Sequence, residues 1–286
     1  MADTKKQIDP FEHVVDNSHL EILPTAGLEV HGLEIAGIPL KFAILMAVSA
    51  LAVALTLIWL GRKIRSGEPP TGKLWNLFES LLFFVRDKIA RPGIGEHDAD
   101  KFLPYLTTLF MFVFAMNLIG MLPFLGSPTA SIMVTAALAF VSFCVIHASG
   151  IKSNGFGGYM KTFIPHIEIE GGPFMKLMGK VITFGMAILE YATAFIRAGV
   201  LAVRLFANML AGHTVLFMIL FFIALVDNPD YKIAIAADWM YWAVMPFSVV
   251  LVTALSLLEL FIAGLQAFIF TFLTAVFIGL AKHPPH

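Results

Sequence analysis

The chain has 286 residues, of which 58% are hydrophobic and only 14% charged, far more apolar than a water-soluble globular domain. Water is therefore excluded as the main solvent of this fold. A formal net charge of −1 argues against a nucleic-acid partner, because tracking phosphates requires a clear basic excess, and one cysteine, Cys144, allows no intrachain disulfide.

Residues 1–39 are polar and acid-rich, with no early apolar stretch of the kind a cleavable secretory signal contains. Targeting is therefore assigned to the first span. That span is 40–60, about the ~20 residues a helix needs to cross the hydrocarbon core, and it ends at Arg62, Lys63 and Arg65. Residues 61–101 form a loop in which Lys73–Arg91 mixes Leu74, Leu77, Leu81 and Phe84 with Glu79, Arg86, Asp87 and Lys88. This mixture predicts an amphipathic helix at an interface or against a partner. Two further apolar runs, Phe102–Leu125 and Ser131–Ser149, are joined by Gly126-Ser127-Pro128-Thr129, a turn signal, so 102–149 reads as a helical hairpin. A second loop covers 150–173.

Residues 174–226 contain no proline and no turn dipeptide, and 239–281 contain only Pro246 as a candidate kink. At ~1.5 Å per residue the first of these would be roughly 80 Å long as one helix, against a hydrocarbon core of ~30 Å. An upright span is excluded, and the expectation is a pair of long oblique helices joined by the polar turn 227–238, with a short tail at 282–286. A helix lying along the membrane presents a long flank to something beside it.

Lysines and arginines flanking spans stay on the cytoplasmic side. Residues 61–101 carry eight of them and 150–180 carry four, whereas 227–238 carry only Lys232. Both basic loops are therefore placed inside, which puts the N-terminal segment outside and the C-terminal tail in the cytoplasm. The fold class is an all-α integral membrane protein with about five membrane helices, the last two long, plus a cytoplasmic amphipathic helix.

Few ionisable groups remain at membrane depth: Glu190, Arg197, Arg204, His213 and Glu259 within the runs, with Lys41 at an edge. Such groups are costly in hydrocarbon and point to function. Glu190, Arg197 and Arg204 are spaced by seven, which keeps them on one slowly drifting stripe at ~100° per residue. His213 falls on roughly the opposite face, while Glu259 and Gln266, also seven apart, share a face of the last helix that could meet it. Bland readings stand beside these. Arg197 could pair with Glu190 or snorkel to the interface, His213 could be a hydrogen-bonded core residue, and Asn208 and Gln266 could serve as glue between helices. Cys144 and His147 read as packing. Arg204 is harder to absorb, since it has no acidic residue within a turn or two.

Arg204-Leu205-Phe206-Ala207-Asn208-Met209-Leu210-Ala211-Gly212-His213 resembles the signature of subunit a of F-type ATP synthases, and Leu265-Gln266-Ala267-Phe268-Ile269-Phe270-Thr271 is similar to that family's last-helix motif. Weaker likenesses run through Met116–Pro123 and Gly155–Gly158, so the resemblance covers about Phe42 to Ala281. It implies that Arg204 corresponds to the family's essential arginine facing the rotating c-ring. Glu190, Arg197 and Asn208 fall at matching offsets, and Gln266 matches the last-helix glutamine. His213 and Glu259 hold positions where some bacterial members have the acid and the histidine interchanged.

The mechanism the resemblance implies is a proton path from outside along His213, Glu259, Asn208 and Gln266 to a c-ring carboxylate, and an exit path near Glu190 after the ring has turned. Arg204, charged at any working pH, separates the two. The implied partners are the c-ring, the b subunits of the peripheral stalk, the remaining ATP synthase subunits and the lipid bilayer, in a bacterial inner membrane. No cofactor or metal is expected, and no catalysis by this chain alone. A secondary transporter would predict internal repeats and broken helices, and an intramembrane enzyme a motif such as His-Glu-x-x-His or Gly-x-Ser-x-Gly. Neither pattern is present, and Thr71-Gly72-Lys73-Leu74 is not a phosphate-binding loop.

Overall fold

A computed structural model describes residues 20–23, 28–30, 34–35, 38–39, 41–65, 72–121, 127–162, 173–227 and 238–283. Most of the turn at 227–238, the end of the loop at 150–173 and the last tail residues lie outside them. Two short antiparallel strand pairs come first, β1 (Leu20–Leu23) with β2 (Leu28–Val30) and β3 (Glu34–Ile35) with β4 (Ile38–Pro39). Among the described residues the elements after them are helices: α1 (Lys41–Arg65), α2 (Lys73–Val85), α3 (Arg91–Ile94), α4 (Glu96–Gly120), α5 (Ile132–Thr162), α6 (Pro173–Asp227) and α7 (Asp238–Lys282). Five of these are long and apolar enough to cross a membrane, and the chain is a multi-pass membrane protein.

α6 and α7 run unbroken for 55 and 45 residues. Each has one packing stripe: Leu201, Leu205 and Met209 are buried on α6, and Glu259, Ala263, Ala267, Phe270 and Ile278 on α7. These positions recur at intervals of three, four, seven or eight, the mark of one helical face. Much of the remaining surface is apolar and outward, with Phe184, Phe195 and Val203 on α6 and Phe247, Val250 and Phe261 on α7 all exposed. Apolar side chains on an outward face suit hydrocarbon or an apolar neighbour.

The chain divides into two packed units. The first comprises residues 1–55, 112–134 and 205–267. Here Phe42 and Leu45 of α1 pack with Ile119 of α4 and Val134 of α5, and Ala130, Met209 and Ala263 pack with Met121. A buried polar knot ties this unit together. Asn117 donates from Nδ2 to the Ala263 carbonyl at 3.3 Å and accepts on Oδ1 from Thr129 at 3.0 Å. The 3₁₀ turn Pro128–Ala130 is thereby fixed, because a buried amide left unpaired would cost about 1–3 kcal/mol.

The second unit comprises residues 56–111, 135–204 and 268–286. α2 passes into α3 through a π turn, Arg86–Ala90, whose Ile89 and Ala90 are fully buried. α3 lies so close to α7 that a Cβ on Gly93 would meet Ala275 at 2.8 Å, and one on Gly279 would strike the Gly93 carbonyl. Ion pairs fasten this corner. Arg86 holds Asp100 through two nitrogens at 2.7 and 2.8 Å, and this bond raises the arginine's pKa still further. Asp98, nearly buried, is gripped by Lys282 at 2.6 Å and Lys101 at 2.8 Å. Lys63 of α1 lies 5.5 Å from the centres of both the Trp59 and Trp75 rings, a cation–π arrangement. α5 departs from helical geometry at Gly155, where φ is 70° and ψ 159°, a region open essentially to glycine alone.

Candidate functional site

The predicted site residues fall into two groups, one in each unit. In the first unit α6 and α7 run antiparallel, because Asn208 meets Gln266 whereas Gly212, further along α6, meets Glu259, earlier on α7. Asn208 Nδ2 donates to Gln266 Oε1 at 2.9 Å, and the glutamine is almost wholly buried. These two residues, 58 apart in sequence, therefore form one amide pair. A turn further on, the Glu259 carboxylate lies against Gly212, so close that a Cβ there would collide with Oε1. Only the absence of a side chain at position 212 lets the acid sit between the helices.

Glu259 is 8% exposed, and its Oε1 has no hydrogen-bond partner among the described residues. The same holds for Nε2 of His213. No bond joins the two among those residues, although the sequence suggested that their faces could meet. What Glu259 faces is the glycine one position before the histidine. The arrangement leaves a protonatable oxygen and a protonatable nitrogen, each buried and each without a hydrogen-bond partner among the described residues, on neighbouring turns of packed helices. Buried polar atoms of this kind are satisfied by water or by mobile protons.

In the second unit Glu190 and Arg197 line one cavity of about 200 Å³. No ion pair joins them among the described residues, and Arg197 instead places its guanidinium 5.5 Å from the centre of the Phe277 ring on α7. Arg197 is thus in contact with an aromatic ring of α7 and has no bond to Glu190 among the described residues. The cavity's other polar walls are Ser142, His147 and Tyr159 of α5. His147 was read from the sequence as packing; the signal that could have singled it out was its being the only histidine inside that apolar run.

Arg204 is half-exposed on α6, between buried Leu201 and Leu205 on one side and exposed Val203 and Ala207 on the other. Among the described residues it has no ion pair and no side-chain hydrogen bond. Along the chain it is the last residue that α6 gives to the second unit, and Leu205 is the first it gives to the other.

Residues 43–279 match the family described as ATP synthase A chain. The chain belongs to this family. Among its relatives are ATP synthase subunit a of Myxococcus xanthus, 35% identical over 90% of this chain and 79% of the relative, and that of Chloroherpeton thalassium, 33% identical over 98% of this chain and 79% of the relative. ATP synthase subunit a 2 of Chlorobaculum tepidum is 34% identical, with 95% of this chain and 72% of the relative covered. The match to the ATP synthase A chain family includes every helix that carries a site residue, from His147 on α5 to Gln266 on α7.

Proposed function

We propose that the chain is the proton-translocating stator subunit of an F-type ATP synthase, offering two offset half-paths to a rotating ring of c subunits, with Arg204 as the separator. The single observation that carries this reading is an arginine without an acidic partner among the described residues on a long membrane helix, with protonatable groups in both directions along the chain. On the C-terminal side are Asn208, His213, Glu259 and Gln266; on the N-terminal side are Glu190, Arg197 and their cavity.

Each part has a physical role. A proton entering along His213 and Glu259 meets buried atoms that can accept and release it without first breaking a protein hydrogen bond. The Asn208–Gln266 pair holds α6 to α7 beside that path. Arg204 then draws the proton off an approaching ring carboxylate by stabilising its ionised form, and its fixed charge repels a cation that would pass straight from one path to the other. Membrane potential supplies ~2.3 kcal/mol per charge per 100 mV, and a direct leak would dissipate it. The outward apolar side chains of α6 and α7, Phe195 and Val203 among them, suit a ring of apolar helices. The lysine- and arginine-rich loops around α2 and α3, and with them the C-terminal end of α7, are assigned to the cytoplasm, as the preference of basic flanks for that side supports. The b subunits of a peripheral stalk and the other synthase subunits complete the assembly, and ATP chemistry resides in those other subunits.

Co-purification tests the assignment. A tag on this chain, in membranes solubilised with a mild detergent, is expected to bring down a ring of small two-helix subunits together with an ATPase. Recovery of the chain alone, active in ion transport, would overturn it.

A further inference from the structure

We propose that His147 is a proton-carrying residue of the half-path that contains Glu190. The inference rests on the function proposed above and adds a residue to it. The geometry of the ring is the starting point. His147 Nδ1 lies 2.9 Å from the carbonyl oxygen of Phe143, one turn earlier on α5. A carbonyl only accepts, so Nδ1 carries the hydrogen and Nε2 carries the lone pair. The ring is also held in place by Phe143, whose ring centre is 3.9 Å away, and by Tyr159 at 5.9 Å. Orientation and tautomer are thus both fixed by residues of the same helix.

The free lone pair is buried. Nε2 has no hydrogen-bond partner among the described residues, and Ser142 lines the same cavity. A residue needed only to fill space would not carry a buried nitrogen without a partner, which costs about 1–3 kcal/mol; Leu or Phe would fill it better. At ~30 Å³ per water the cavity has room for roughly six molecules, enough to connect Nε2 with the other polar walls. The charged and titratable groups facing it are Glu190 and Arg197 from α6 and Tyr159 from α5, while α7 contributes Phe277, Leu280 and Ala281 and no charge.

The step balances simply. A proton arriving in the cavity bonds to Nε2, giving an imidazolium whose Nδ1 remains bound to Phe143. The same N–H bond then breaks toward water on the far side or toward Glu190, and the ring returns to its starting tautomer. The cycle consumes nothing and leaves no net charge.

The test uses the assembled ATP synthase in liposomes, with passive proton flux through the membrane sector driven by a potassium diffusion potential and read with a trapped pH dye. His147→Leu is expected to lower the flux about tenfold or more, since a positioned proton carrier is worth at least that, while the amount of assembled complex stays as in the parent. His147→Gln, which preserves polarity and size, should lower it similarly and serves if the leucine variant does not assemble. Imidazole added to His147→Ala should restore part of the flux, which it would not do for a merely structural residue. Flux within twofold of the parent in the leucine or glutamine variant, or no rescue by imidazole, would overturn the role of His147. The parent reading is scored separately by Arg204→Ala: if that variant still makes ATP from a proton gradient, the half-path account itself fails.

Discussion

Gly212 and Glu259 set the finest constraint in the molecule. The acid occupies the space a side chain at 212 would need, so Gly212→Val is expected to push Glu259 out of its position between the helices and lower proton flux severalfold without preventing assembly. Flux through the assembled Gly212→Val complex, compared with that of Glu259→Gln, checks this; equal losses in the two would indicate that the glycine acts through the acid. Arg204, Glu190, Arg197 and Glu259 stand out in the sequence as candidates because an ionisable group in a long apolar run has no cheap explanation. Gly212 and His147 do not, because their meaning depends on which helices face each other. A glycine or histidine in a helix carries no mark of its neighbour across the interface, and the Asn208–Gln266 bond spans 58 residues that no local pattern connects.

Two devices shape the elements. Gly155 turns α5 with a backbone conformation that other residues adopt only at a cost of roughly 1–3 kcal/mol, so Gly155→Ala is expected to lower the thermal midpoint of the detergent-solubilised subunit, measured against Gly157→Ala, where φ is ordinary and the space is open. Equal midpoints would show that the turn is not held by this residue. At the other end, Asp98 ties the last turn of α7 through Lys282 at 2.6 Å, with Lys101 beside it. Asp98→Ala leaves the buried end of Lys282 without its partner, and the expected result is faster proteolysis at the C-terminus in inside-out vesicles; an unchanged digestion rate would contradict it. The long helices themselves were readable, because runs without proline or turn residues leave one conformation. The π turn at Arg86–Ala90 and the bend at Gly155 were not, since each depends on packing such as the close approach of Gly93 to Ala275. Nor were the strand pairs before α1, whose two to four residues are too short to establish a period.

For the whole molecule, five spans among the described residues and the clustering of lysine and arginine underlie the proposal that the two termini lie on opposite sides of the membrane. Single cysteines at positions 16 and 286, in a Cys144→Ser background, are expected to react with an impermeant maleimide from the outside and from the cytoplasmic side respectively; labelling of both from one side would contradict the odd count. α6, at 55 residues or about 80 Å, is longer than an upright crossing of a ~30 Å core requires, and the proposed function takes its apolar flank as the face offered to a ring of c subunits. The charges along it divide into two groups about Arg204, and that division is the central claim. Its most direct measurement is proton-driven ATP synthesis by the reconstituted complex carrying Arg204→Ala: the expected result is loss of synthesis with the complex still assembled, and synthesis at a rate near that of the parent would contradict the account.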